Sequence, residues 1–386
     1  MSKRTLESFY KAVTPPQSKR PKPDPSPSPN PSSLTYTNHP SYPHPIANLP
    51  PSIAEPLANI AKDASVNAKA KRINDQPHLD LLYFHPLIPS PTARELFEFL
   101  RRELPFYRVQ YEIKRFGKET KINTPRFTTV FGVDETSVFV PSPKPDHDLT
   151  KPKTESTVAT GANHKDSDGD NNTDNININI KPEDPDPNTV ADTPFPEITE
   201  STLSLTDTQT RKPTPAGKYK ATPRPIPPAL DALRKAVQAS IGDSSTYNFC
   251  LVNYYATGDD SISYHSDDER FLGANPSIAS ISLGAQRDFL MRHKPSEDPG
   301  VSNQPMKFQL AGGDMVVMRG ETQANWLHSI PKRKGGEASR GRINITFRRA
   351  VVRGGTENYY TYNVGAGGVY RWDEGRGRMC LVEGDG

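Results

Sequence analysis

Hydrophobic positions along this chain change period from segment to segment. In TARELFEFLRREL (92–104), Leu96, Phe97, Leu100 and Leu104 recur at helical spacing, and Thr92 with Glu95 has the form of a capping box. The pattern predicts an amphipathic helix. PPALDALRKAVQASIG (227–242) predicts a second one, with Leu230, Leu233 and Val237 facing inward and Gly242 suited to the left-handed turn that closes a helix. Elsewhere the ordered-looking sequence is strand-like: DLLYFHPLIP (80–89), 107–115 and 126–140, then CLVNYYA, SIASISLGA, DFLMRHK, FQLAGG, DMVVMRG and RINITFRRA. Many short strands with few helices predict a mainly β (α+β) fold. A β-sandwich and a double-stranded β-helix (jelly roll), with flanking helices on one side, both suit the pattern.

Two stretches carry no such pattern. Residues 11 to about 75 are rich in Pro and Ser, and 141–216 are rich in Pro, Asp, Asn and Thr. Proline supplies 40 of 386 residues, about twice its average usage, and only 33% are hydrophobic. The composition predicts a disordered tail over 1–78 and a folded domain over 79–365 interrupted by a disordered acidic insert over 141–216. A Gly-rich tail over 366–386 has no assignment.

A net charge of +3 conceals an asymmetry: residues 1–72 carry ten Lys/Arg against four Asp/Glu, and 141–216 carry seven against fourteen. DSDGDNNTDN (166–175) alternates Asp166, Asp168 and Asp170 but lacks the sixth-position glycine and twelfth-position glutamate of a calcium loop, which favours a solvated spacer. Two cysteines, Cys250 and Cys380, build no disulfide framework and fit a reducing compartment. No apolar run reaches the ~18 residues of a membrane span, so no membrane partner is expected.

YHSDDE (264–269) raises the question of chemistry. His265 and Asp267, one residue apart, share a face if the segment is a strand. A second histidine would complete a facial triad of the kind that binds non-haem Fe(II) and leaves positions open for O₂. His328 in NWLHSIP is available, although an acidic surface turn would look the same. In RGRINITFRR (340–349), Arg342, Asn344, Thr346 and Arg348 alternate with Ile343, Ile345 and Phe347. A surface strand would show that pattern. So would a strand whose two guanidiniums grip the two ends of a dicarboxylate such as 2-oxoglutarate.

In combination, H-x-D, W-x-H-S-[IL]-P and R-x-N-x-T-x-R resemble the AlkB family of 2-oxoglutarate/Fe(II) nucleic-acid dealkylases. NFCLVNYYATGDDSISYHSDDE (248–269), IASISLGAQRDFLMRHK (278–294) and FGK…PRF…FG (116–132) are more similar to its animal and fungal DNA-repair members than to the bacterial founder. The resemblance covers roughly 80–140 and 217–350 and implies a jelly-roll core. It implies that His265, Asp267 and His328 ligate Fe(II). Asn253, Tyr255 and Arg342 would hold the distal carboxylate of 2-oxoglutarate, with Asn344 and Arg348 at the carboxylate nearer the metal. Glu269, or Asp268 beside it, would meet the exocyclic amine of the damaged base. Phe127 and Phe131 lie in the segment resembling the nucleotide-recognition lid and would stack the flipped base, unless they are ordinary core. Arg126, Lys118 and Arg287 would touch phosphates, unless they are a solvated face. The implied reaction consumes O₂ and 2-oxoglutarate, releases succinate and CO₂, and removes methyl groups from 1-methyladenine and 3-methylcytosine in DNA as formaldehyde. An RNA demethylase of the same family, or a non-catalytic clamp-tethered scaffold, would carry much of the same sequence.

At the amino terminus, MSKRTLESFYKAV places Leu6, Phe9 and Tyr10 in the spacing of a PCNA-interacting box (3–10), with Lys3 where glutamine is usual. That similarity implies the PCNA sliding clamp as a partner. KRPK (19–22) has the form of a nuclear import signal, so a nuclear, monomeric protein is expected.

Overall fold

The computed structural model describes residues 34–115, 118–142, 197–243 and 246–382. Leu6, Phe9, Tyr10, the KRPK run and the aspartate-rich stretch 166–175 lie outside the described residues. β1 (Tyr36–Asn38), β2 (Ile46–Ala47), α1 (Pro51–Lys62), β3 (Lys71–Ile73) and β4 (Leu81–Phe84) come first. They are followed by α2 (Ser90–Glu103), the hairpin of β5 (Gln110–Arg115) and β6 (Lys118–Asn123), β7 (Phe127–Gly132) and β8 (Ser137–Pro141). Beyond the undescribed segment lie β9 (Ile198–Glu200), β10 (Leu203–Asp207) and α3 (Pro228–Ile241). Next come β11 (Phe249–Tyr255), β12 (Ile262–His265), β13 (Ile278–Gly284), β14 (Arg287–His293), β15 (Met306–Leu310) and β16 (Met315–Met318). α4 (Thr322–Asn325), β17 (Trp326–Ile330), β18 (Arg342–Arg348), α5 (Glu357–Asn363) and the hairpin of β19 (Tyr370–Asp373) and β20 (Arg378–Leu381) complete the chain.

Two antiparallel sheets form the double-stranded β-helix. The larger has the order β3-β4-β16-β13-β18-β11-β7, and the smaller has the order β12-β17-β14-β15. Alternation along β18 divides the core in two. Ile343, Ile345 and Phe347 face the helices, where they are buried with Leu96, Phe97 and Leu100 of α2 and Leu230, Leu233 and Val237 of α3. The opposite face of the larger sheet packs through Leu251, Tyr255, Val316 and Met318 against Phe289, Met291, Trp326 and Ile330 of the smaller sheet. Both predicted helices form, and Gly242 closes α3 in the left-handed conformation at φ 69°. α2 begins two residues before the expected start, because Pro91 with its fixed φ suits the first turn. Thr92 is buried there, and no side chain caps the helix.

The expected disordered tail over 1–78 is corrected from residue 34 onward. Leu34, Tyr42, Ile46, Ile53, Leu57 and Val66 are buried in the helix-side core, and α1 packs on α3. Ile53 and Leu57 stand one helical turn apart, a spacing that isolated apolar residues among prolines hide from a composition count. The expected insert 141–216 is also too long. β10 returns to pair with β8, β9 pairs in parallel with β1, and Lys218 reaches back to Asp207 at 2.8 Å. The Gly-rich end folds as well: Arg101 of α2 lies 3.7 Å above the Trp372 ring of β19, and Phe106 bridges to Tyr370.

Because Leu57 is fully buried, Leu57→Ala will lower the unfolding free energy by about 2–5 kcal/mol in urea denaturation. An unchanged midpoint would mean that the 34–73 segment contributes nothing to the core.

Candidate metal centre

The smaller sheet assembles the three expected metal ligands. β12 and β17 pair so that His265 stands directly opposite His328, with ring centroids 4.2 Å apart. Asp267 follows β12 in a turn rather than on the strand itself, and its carboxylate lies 3.9 Å from His328 Nε2. One ligand atom from each of His265, Asp267 and His328 lies within 4.8 Å of the others, the only such cluster among the described residues. The His265 Nδ1–H donates to the Ser263 carbonyl at 2.9 Å, which leaves Nε2 as the free lone pair. Burial, reinforced by His265, pushes His328 down to about 3, so its imidazole is neutral. Burial alone would raise the Asp267 carboxyl, but Arg348 and the two histidines together hold it below its usual value. Two imidazoles and one carboxylate are the donor set for Fe(II) with open positions.

The cationic strand lies beside this cluster. All seven residues of β18 are buried, because it runs between β13 and β11 in the middle of the larger sheet. Its polar face is therefore a buried one, which excludes the surface-strand reading. Registry places Tyr255 opposite Arg342, and Asn253 opposite Asn344. The Arg342 guanidinium sits 5.3 Å above the Tyr255 ring and donates to Ser282 Oγ at 2.9 Å. Burial draws it down to about 10, and it stays protonated at neutral pH. Its Nε and Nη1 are buried without a partner. Arg348 donates to Asp267 at 2.8 Å, and its Nε and Nη1 are likewise unpartnered. Burial works against the Arg348 cation, yet Asp267, Tyr359 and Glu269 hold its pKa above the usual value. Buried N–H groups at two sites on one polar face fit the two ends of a dicarboxylate. Asn344 is fastened by Ser280 Oγ at 2.8 Å and the Ile281 carbonyl at 2.9 Å.

The triad and the two arginines line one cavity of about 1120 Å³, larger than a small dicarboxylate requires. Glu269 lines it too. The Tyr359 hydroxyl donates to Glu269 Oε1 at 2.7 Å, while Glu269 Oε2 is buried with no partner. Arg126 stands at the rim and donates to Asn253 Oδ1 at 2.7 Å, leaving the Asn253 amide nitrogen for a ligand.

Several expected contacts are not brought to the cavity. Asp268 points outward and pairs with Lys294 at 2.8 Å, because the turn after β12 sends consecutive side chains opposite ways. Phe127 and Phe131 occupy alternate positions of β7 on the helix side and are buried among core residues including Tyr254 and Phe106. Their assignment as base-stacking residues is corrected to core. Arg287 is buried and donates to the carbonyls of Asp260 and Pro331 at 2.9 and 2.6 Å, so it is a brace rather than a phosphate contact.

Three contributors escape a reading of the sequence. Gln323 of α4 accepts the Asp267 N–H at 2.8 Å and donates to the Met318 sulfur. Nothing in the sequence marks it. Ser280 and Ser282 were detectable as alternating small polar residues in an otherwise apolar strand. The third contributor is the segment after β18.

Removing Asp267 would leave Arg348 buried and uncompensated. Asp267→Ala will therefore cost about 3–5 kcal/mol of stability as well as abolish thermal stabilisation by Mn(II), read by calorimetry with and without metal. His265→Ala, half-buried and outside the ion pair, will lose the metal response with a smaller stability change. A full Mn(II) shift in both variants would mean that the ligand set is wrong.

Comparison with known proteins agrees with this geometry. The sequence profile of the "2OG-Fe(II) oxygenase superfamily" matches residues 184–348. DNA oxidative demethylase ALKBH2 of Mus musculus is 43% identical over 132 residues, which are 34% of this chain and 54% of that one. DNA oxidative demethylase ALKBH2 of Bos taurus is 41% identical over 131 residues, 33% of this chain and 46% of its own. Alpha-ketoglutarate-dependent dioxygenase alkB homolog 3 of Rattus norvegicus is 40% identical over 124 residues, 31% of this chain and 41% of its own. The chain spans about half the length of the curated relatives it matches. The match and the buried triad beside its arginine strand agree: over residues 184–348 the chain is similar to the 2OG-Fe(II) oxygenase superfamily, and in sequence to the AlkB-type demethylases named above.

Proposed function

We propose that this chain oxidatively demethylates N-alkylated bases in DNA, 1-methyladenine and 3-methylcytosine among them. The observation that supports the reading most directly is the Glu269 carboxylate. One of its oxygens is buried and unpartnered, and the residue lines the cavity that holds the triad. N-methylation leaves adenine or cytosine cationic, and a carboxylate in a desolvated pocket prefers that base to its neutral parent. The relatives bearing the name DNA oxidative demethylase point to DNA as the polymer.

His265, Asp267 and His328 would hold Fe(II), which with O₂ supplies the oxidation of the methyl group when 2-oxoglutarate is consumed. Arg342, with Asn253 and Tyr255, anchors the far carboxylate of 2-oxoglutarate. Arg348 takes the near one, exchanging part of its contact with Asp267 for the co-substrate, while Asn344, with both amide hydrogens held by Ser280 Oγ and the Ile281 carbonyl, fixes β18 beside it. The apolar residues Leu251, Ile262, Phe289 and Met318 exclude water from the reacting methyl group. The hydroxylated methyl group then leaves as formaldehyde, and no side chain acts as a nucleophile. Leu6, Phe9 and Tyr10 are proposed to tether the enzyme to the PCNA clamp in the nucleus.

Purified protein given Fe(II), 2-oxoglutarate and 1-methyladenine oligonucleotides will release succinate and formaldehyde with DNA at a higher kcat/KM than with RNA. Turnover on RNA alone would replace the substrate assignment, and no turnover on either would favour a scaffold. Arg342→Lys will raise the KM for 2-oxoglutarate about tenfold or more, since an ammonium cannot form a two-pronged contact. Phe9→Ala with Tyr10→Ala will weaken clamp capture in a pull-down, and equal capture would sink the tether.

A further inference from the structure

The segment after β18 lies beyond the 184–348 match, yet it builds one wall of the cavity. Val352, Gly355, Asn358, Tyr359, Tyr362 and Asn363 all line it. The wall is fixed in place. The Tyr360 hydroxyl donates to the Gly132 carbonyl at 2.8 Å, the Thr128 hydroxyl donates to the Asn363 carbonyl at 2.7 Å, and the Val351 N–H donates to the Phe271 carbonyl at 2.7 Å. Gly355 lies so close to Phe271 that a Cβ there would overlap the ring.

Within α5, Tyr359 and Tyr362 are three residues apart and share the face turned to the cavity. Tyr359 sits inside. Its ring meets Phe249 and Phe271 edge-on at 5.3 and 5.5 Å, the Arg348 guanidinium lies 4.9 Å from its centroid, and its hydroxyl holds one oxygen of Glu269. The other oxygen of Glu269 is buried and left without a partner, in a residue that lines the cavity. Tyr362 sits at the mouth, 65% exposed, which is unusual for a large aromatic side chain. With Phe127 and Phe131 committed to the core, Tyr362 is the exposed aromatic among the residues lining the cavity.

We propose that α5 is the base-reading wall of this enzyme: Tyr359 is a positioning residue that orients Glu269 toward the alkylated base, and Tyr362 is the aromatic platform on which a nucleobase stacks at the entrance. The inference rests on the demethylation reading above and adds the residues that select the base. Stacking on an aromatic is tolerant of sequence, so Tyr362 supplies affinity, and the Glu269–Tyr359 pair supplies discrimination for the cationic base.

The test is steady-state demethylation of a 1-methyladenine DNA oligonucleotide, with KM determined separately for oligonucleotide and for 2-oxoglutarate. Tyr362→Ala will raise the oligonucleotide KM about five- to fiftyfold, and Tyr362→Phe will restore it, because stacking needs the ring and not the hydroxyl. Tyr359→Phe keeps the ring and removes only the hydroxyl. It will lower kcat/KM for the oligonucleotide about tenfold and shift the 2-oxoglutarate KM less than twofold. An unchanged oligonucleotide KM in Tyr362→Ala would overturn the platform. A Tyr359→Phe variant whose 2-oxoglutarate KM moves as much as its oligonucleotide KM would show that Tyr359 acts through Arg348 instead. If the wild-type protein demethylates no oligonucleotide at all, the demethylation reading fails first and takes this inference with it.

Discussion

Two guanidiniums buried in the middle strand of a sheet are the constraint around which the rest of this molecule is arranged. Taking one such cation out of water costs several kcal/mol unless it is paired and its N–H groups are satisfied. Arg348 is offset by the Asp267 carboxylate at 2.8 Å. Arg342 has a hydroxyl, an aromatic face and two nitrogens with nothing to bind. Such a strand is stable only because its other face, Ile343, Ile345 and Phe347, is pressed into a large apolar core under α2 and α3. The energy of the helix-side core sustains an unsatisfied polar face, whose unpartnered guanidinium nitrogens are free to take a ligand.

The ion pair between Arg348 and Asp267 joins the two sheets as well as two functions. One partner belongs to the His265–Asp267–His328 cluster and the other to the polar face of β18, so placing either one correctly depends on the other. Gln323 and Tyr359 extend the network outward from its two ends, the first to the backbone of Asp267 and the second to Glu269. The path from the histidine–aspartate cluster to Glu269 is thus a continuous set of charged and hydrogen-bonded groups held between apolar layers.

Segments at both ends of the described chain are structural parts of this arrangement. Residues 34–73 cover α3 and supply β1 and β3, while the residues after β18 close one side of the cavity and then pack a hairpin against α2. Their sequences are rich in proline or glycine, and each contributes only a few apolar anchors. Leu57 in the first and Trp372 in the last are examples. A few anchors suffice when the surface they meet is already formed, and composition averaged over a window does not register them.

Much of the site was legible along the chain. The helical face of 92–104, the closing Gly242, the short strands and the alternation of β18 are local patterns, and local patterns follow from backbone geometry alone. Ligand types at motif spacing were equally visible in His265, Asp267 and His328. The sequence by itself therefore determined the element types of its patterned segments, a mainly β class and the chemical inventory of the centre, with the jelly roll implied by the resemblance. Only the tertiary structure decided that the polar face of β18 is buried rather than exposed and that Asp267 is reached by a turn. It alone placed Glu269 inward and Asp268 outward, Phe127 and Phe131 in the core, and α5 beside the metal cluster. Those outcomes depend on which surfaces meet across sheets and segments far apart in the chain, and residue spacing carries no information about that.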